Sequence, residues 1–198
     1  MSTRIFLIRH GTTGANLNNI FAGRSDEPLH PEGKLQLSRV AEKLRGTGVN
    51  HIYCGPLTRT RMSAEIISKT TDAPLETHDA FNEIDIAHWD GLTKDEIRER
   101  FGPEYPTWLE TPEMFSVEYC ETLTDVQTRA VKGTEEILAA HPGRNIVVVS
   151  HLIVLRTLVL HYRNLPLSAF RSLKIGNASI TELVQRENGQ LEVVSERE

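Results

Sequence analysis

Residues 6–16 read FLIRHGTTGAN: an apolar run ends on an arginine, a histidine and a glycine, then passes into small polar residues. The run predicts a buried strand from Ile5 to Ile8, closed by a polar turn. In an open α/β sheet, ligands sit beyond the carboxyl ends of the strands. A cation and an imidazole at positions 9 and 10 therefore stand where such a sheet would hold a ligand, and the fold turns on whether the chain supplies more strands of this kind.

Working outward, IVVVS at 146–150 is apolar at four successive positions, which suits a central strand covered on both faces. His51 to Cys54, Ser179 to Val184 and, more weakly, Leu191 to Val194 complete the predicted strands. Leu37, Val40, Ala41 and Leu44 fall at i, i+3, i+4 and i+7, the stripe of a helix that stops at Gly46 and Gly48. Met62, Ile66 and Ile67 predict a second helix. Val126, Ala130 and Ile137 predict a third, ending at HPGRN. A fourth starts at about His151 and turns Leu155, Leu158 and Val159 inward. Strands alternating with helices read as an α/β fold.

At 198 residues the chain is long enough for one well-packed domain over 1–198, with a small insertion at about 93–121. The net charge of −5 gives no global attraction to nucleic acid or acidic membranes, so any anion site is local. Cys54 and Cys120, the two cysteines, are not spaced as metal ligands or as a disulfide framework, and a cytoplasmic setting is the expectation. No apolar run approaches the ~18 residues of a membrane span. The stretch FGPEYPTWLETPEMFSVEYCE, 101–121, carries Pro103, Pro106 and Pro112, which forbid one long element. It is read as a cap whose Trp108, Met114, Phe115 and Tyr119 choose the substrate.

The residues after each strand converge on one chemistry. Arg9, His10 and Gly11 follow the first, GPLTRTR with Arg59 and Arg61 the second, and Ser150 and His151 the central one. FNEIDIAHWDGLT, 81–93, adds Glu83 and Asp85. Arginine's planar fork matches phosphate oxygens bidentately, so Arg9 and Arg59 suit a phosphoryl clamp. Backbone N–H groups at the helix start near His151 would add to the cradle. Neighbouring cations would lower the pKa of His10 and leave a lone pair free to attack phosphorus. A carboxyl beside a phosphate dianion has its pKa raised, which suits Glu83 to proton donation. GTTGAN lacks the Gly-Lys-Ser/Thr ending of a P-loop, and VVSHL lacks the glycines of a nucleophile elbow.

LIRHGTTGAN, with Asn six residues after His, resembles the opening motif of the histidine phosphatase superfamily, the phosphoglycerate mutase-like family. AGRSDEPLHPEG, YCGPLTRTRMSAEII, FNEIDIAHWDGLT and VVVSHLIVLR resemble its later segments in order and spacing. The resemblance implies a three-layer α/β/α sandwich around a mostly parallel sheet. It implies His10 as phosphoacceptor and Glu83, rather than Asp85, as proton donor. Phosphate contacts would come from Arg9, Asn16, Gly23, Arg59, His151 and Leu152. It implies no cofactor and no metal. Arg61 is read as a helix-surface residue, and His30, His51, His78, His141 and His161 as structural or exposed. His88 is assigned no role in the pocket.

The chain departs from the family pattern at several positions. Thr12 replaces Glu or Gln at a position that reaches the site, Ala87 and Leu152 replace Gly, and YCETLTD replaces Gly-Glu-Ser by Cys120, Glu121 and Thr122. Residues 93–121 are acidic on balance, unlike the basic insertion of the cofactor-dependent mutases. The expectation is hydrolysis of a small-molecule phosphomonoester by an enzyme similar to the broad-specificity, ribazole-phosphate or phosphoserine phosphatases, with a slight tilt to the last, and with a homodimer allowed. A phosphoglycerate mutase and a non-catalytic phosphate- or protein-binding module are the alternatives.

Overall fold

The computed structural model describes residues 2–197; Met1 and Glu198, the ends of the expected domain, lie outside the described residues. In chain order the elements are β1 (Arg4–Arg9), α1 (Gly14–Leu17), α2 (Pro31–Leu44), β2 (Val49–Cys54), α3 (Thr58–Thr71) and β3 (Leu75–Thr77). They continue with α4 (Lys94–Arg100), α5 (Glu104–Glu110), α6 (Leu123–Ala140), β4 (Asn145–Ser150), α7 (Leu152–Tyr162), β5 (Ile180–Gln185) and β6 (Leu191–Arg197).

The six strands form one sheet in the order β3-β2-β4-β1-β5-β6. The first four run parallel, β5 pairs antiparallel with β1, and β6 pairs antiparallel with β5. Alternation along β1 builds both faces, because successive side chains of a strand point to opposite sides. Phe6 and Ile8 join Leu37 of α2 and Ala64 of α3 on one face, while Ile5 and Leu7 join Val126 of α6 and Leu158 of α7 on the other. The result is a three-layer α/β/α sandwich. The fully buried strand β4 lies between β2 and β1, as its unbroken apolar run requires.

The helix signals explain the boundaries. Pro31 opens α2 and the His30 side chain accepts from the Glu32 N–H at 3.3 Å. The Leu37, Val40, Ala41 and Leu44 stripe is buried. Each of its larger side chains contributes about 1.5–3 kcal/mol, and Leu37→Ala would cost about 2–5 kcal/mol. Beyond the helix, Gly46 and Gly48 take positive φ.

Two readings change. Strand β3 was not among the predicted strands: its three residues are exposed or half-buried at the sheet edge, so no apolar run marks it. The insertion at 93–121 folds into two helices of seven residues each, with Pro103 at the N-cap of α5 and Pro106 in its first turn, where a missing N–H costs nothing. Trp108 and Phe115 are not on an open surface where a substrate could reach them. They are buried around Trp89, at ring distances of 6.0 and 5.2 Å, while Met114 and Tyr119 are exposed. Apolar side chains on a short segment find more buried area in the core than over a polar cavity.

Candidate active site

The site forms at the carboxyl end of β1, where Arg9, His10, Asn16, Gly23, Arg59, Glu83 and Leu152 share one cavity of about 130 Å³. A larger groove of about 300 Å³ by Glu135, His161 and Tyr162 lies apart from these residues. Among the described residues, no cluster of three or more His, Cys, Asp or Glu side chains is arranged to hold a metal ion.

His10 is 4 % exposed, and its Nδ1 lies 2.8 Å from the Gly11 carbonyl oxygen. A carbonyl only accepts, so Nδ1 carries the proton and Nε2 keeps its lone pair. Burial first, then Arg59 and Arg9, holds the pKa of His10 well below 6.5, so desolvation exceeds the neighbouring cations as the cause. Gly11 leaves room for α2 to close over this turn: a Cβ there would lie 2.5 Å from Leu37 Cδ2 and 2.6 Å from the Gly33 oxygen.

Arg59, 1 % exposed near the start of α3, is held at three points. Nη2 donates to Gly23 O at 2.6 Å, Nη1 to Ser25 O at 2.7 Å, and Nε to His151 Nδ1 at 3.3 Å. Gly23 has φ +46°, and a Cβ on it would lie 1.7 Å from Asp90 Oδ1. Only glycine lets this loop reach the arginine. Asp90 Oδ2 accepts from the Arg24 N–H at 3.0 Å and keeps the loop in place. Arg9 donates from Nη1 to Ile175 O at 2.8 Å, and its buried Nε has no partner. Burial lowers its pKa to about 10, with Glu83 opposing, so it stays charged at neutrality.

His151 adds no wall to the cavity. It is fully buried behind His10, ring centroids 5.3 Å apart, with Nδ1 accepting from Arg59 and Nε2 without a hydrogen-bond partner. Burial first, then Arg59, keeps it neutral by lowering its pKa well below 6.5. Leu152, the first residue of α7, follows it onto the cavity wall.

Glu83, not Asp85, faces the cavity. Burial raises its pKa, against the Ile84 N–H that donates to Oε1 at 2.9 Å and against Arg59. Asp85 instead pairs with Arg24 at 2.9 Å. The cause of the raised pKa is thus burial, already present without a bound anion.

Sequence reasoning missed the supports. Arg24 Nε and Arg129 Nη2 both donate to Glu83 O, at 3.0 and 3.2 Å, and Glu121 bridges the two arginines at 3.1 and 2.8 Å. Glu121 also accepts from the Asp85 N–H. Asn177 Nδ2 donates to His10 O at 3.1 Å and to Asn16 Oδ1 at 2.9 Å. Asn16 Oδ1 accepts from Thr13 N as well, which aims its NH2 into the cavity. The acid in YCETLTD was a visible signal for Glu121. Nothing in KIGNASIT marked Asn177.

Other expectations change or hold. Thr12 does not reach the site; its N and Oγ1 both bond Gln36 Oε1 of α2 at 3.0 Å. Ala87 does not take positive φ, so the missing glycine carries no strain there. Arg61 is exposed and donates to Thr58 Oγ1. His88 lies 2.6 Å from Glu104 Oε2 and off the cavity. His51 stacks on Tyr53, and His141 packs tilted against His51.

The model of the histidine phosphatase superfamily (branch 1) matches residues 5–196. The chain belongs to the histidine phosphatase superfamily. Within this superfamily it is 28% identical over 184 residues to Phosphoserine phosphatase 1 of Hydrogenobacter thermophilus, covering 93% of this chain and 87% of that one. It is 30% identical over 190 residues to a probable phosphoglycerate mutase GpmB of Enterobacter sp. (strain 638), covering 93% and 86%. Among solved structures, Bacillus stearothermophilus YhfR superposes with a TM-score of 0.93 at 27% identity, covering 97% of this chain and 95% of that one. Members of the superfamily are phosphatases or mutases, and the sandwich is the phosphoglycerate mutase-like fold.

Proposed function

We propose that this chain is a phosphomonoester hydrolase that works through a phosphohistidine on His10, without a metal ion. The observation that carries the reading is the tautomer of His10: Nδ1 is tied to Gly11 O, and the free Nε2 shares a cavity with two arginines and a protonatable glutamate. Arg9, Arg59 and the Asn16 amide hold the phosphoryl oxygens, together with the Leu152 N–H, and His151 supports them from behind by accepting from Arg59 Nε. Their fixed positive charge does the work of a divalent ion.

In the first step the His10 Nε2–P bond forms as the P–O bond to the alkoxide breaks, and Glu83 gives its proton to that oxygen. In the second, water attacks phosphorus, Glu83 takes its proton, the N–P bond breaks and inorganic phosphate leaves. Burial keeps Glu83 protonatable in the resting site. Hydrolysis is favoured over mutase chemistry because residues 93–121 pack around Trp89 and add no cation to the cavity for a second charged group. Cys54 and Cys120 are both unpaired, in keeping with a reducing cytoplasmic setting.

The test is to quench the enzyme during turnover of a radiolabelled phosphomonoester in excess EDTA. Acid-labile label on His10, lost in His10→Ala, is expected; label on another residue, or activity only with a divalent ion, overturns the proposal.

A further inference from the structure

We infer that the leaving group this site accepts is uncharged and largely apolar, a preference that rests on the hydrolase reading and runs against a carboxylate-bearing phosphomonoester. The cavity combines charged and apolar lining residues. The charged side chains that line it are Arg9, Arg59 and Glu83, all committed to the phosphoryl group and its proton. His10, Thr13, Asn16 and Gly23 line it as well, and the remaining wall is the apolar set Ile20, Phe21, Ala22, Leu152 and Ile153.

The apolar side is fixed in place. Ile20 bridges Thr93, the Phe21 N–H donates to Leu92 O at 2.8 Å, Phe21 O accepts from Gly91 N at 2.9 Å, and the Phe21 ring meets Trp89 edge-on at 5.5 Å. A strip held by this backbone bridge, by the Gly91 N–H and by ring packing does not swing away to admit another side chain.

Among the described residues, no arginine or lysine other than Arg9 and Arg59 lines the cavity. Arg24 is paired with Asp85 and Glu121. Lys94 Nζ points to Asn19 Oδ1 at 3.5 Å. Arg156 lies over the Phe170 ring at 5.0 Å with its buried Nε lacking a hydrogen-bond partner, and Arg171 lies over Trp108 at 5.6 Å and donates to its carbonyl. A carboxylate on the leaving group would thus lose water against Ile20, Phe21 and Leu152, meet no lining guanidinium beyond the two that hold the phosphoryl group, and share the cavity with Glu83. An alkyl or aryl group loses nothing on the same wall. The inference sets aside the phosphoserine tilt of the sequence.

The experiment compares n-butyl phosphate with 2-carboxyethyl phosphate, esters of similar length that differ in the terminal charge, by kcat/KM for phosphate release in EDTA. The expected ratio is about 10-fold or more in favour of the butyl ester. Ile20→Lys, a half-buried position with room for a snorkelling chain, should shrink or invert that ratio. Equal turnover by the wild type, or faster turnover of the carboxyethyl ester, overturns this inference alone. Release of phosphate from neither ester, with no label on His10, overturns the hydrolase reading and the inference with it.

Discussion

Asn177 offers a quantitative test of how the cavity is organised. Its Nδ2 bonds both the His10 carbonyl and Asn16 Oδ1, so Asn177→Ala removes two hydrogen bonds at once. Two acceptors then lose a partner, which costs about 1–3 kcal/mol of stability, read as a lower urea midpoint. Asn16 keeps only Thr13 N on its oxygen and its amide turns freely. A hydrogen bond to a charged phosphoryl oxygen is worth about 1.5–3 kcal/mol, so the fall in kcat/KM should be roughly 10- to 150-fold. The assay is steady-state hydrolysis of an aryl phosphate by four proteins: wild type, Asn16→Ala, Asn177→Ala and the double variant. If Asn177 acts through Asn16, the double variant is no slower than Asn16→Ala. Losses that multiply would refute the reasoning, whatever their size, because a general loosening of the fold would not depend on Asn16.

Two further outcomes follow from the buried titratable groups. Glu83→Gln should slow alkyl phosphates far more than activated aryl phosphates, since only the former need a proton on the departing oxygen; equal losses on both would remove Glu83 from that role. Stability should fall with acidification. His10 and His151 have folded pKa values depressed below 6.5, so below about that pH the unfolded chain takes up protons the folded chain refuses. Each histidine then removes about 1.4 kcal/mol per pH unit. Glu83, raised above its ordinary value of 4.5, has the opposite sign between there and its folded pKa and offsets part of the loss. The urea midpoint should drop from about pH 7.5 to about 5.5, and drop less in His151→Gln; a midpoint that rises refutes the assignment.

Much of the fold and the motif-bearing part of the site were legible in the sequence because both are local. Apolar period and polar breaks place β1, β4, α2 and α7, and a strand that ends on Arg9 and His10 delivers them to the sheet rim by backbone geometry alone. The acid segment was legible to within two residues, and the structure separates Glu83, in the cavity, from Asp85, paired with Arg24. What depended on tertiary structure is what lies far apart along the chain. Asn177 meets Asn16 across 161 residues and Arg24 meets Glu121 across 97, and no periodicity encodes such a pair. The fate of the aromatic residues in 101–121 was likewise decided in three dimensions: Trp108 and Phe115 are as apolar as a substrate-binding cap would need, but the competition for burial beside Trp89 draws them into the core. Sequence thus determined which chemistry reaches the rim, because side-chain type and strand direction are written locally. Tertiary structure decided which groups hold it there and which walls face the leaving group, because those depend on contacts that exist only after the layers close.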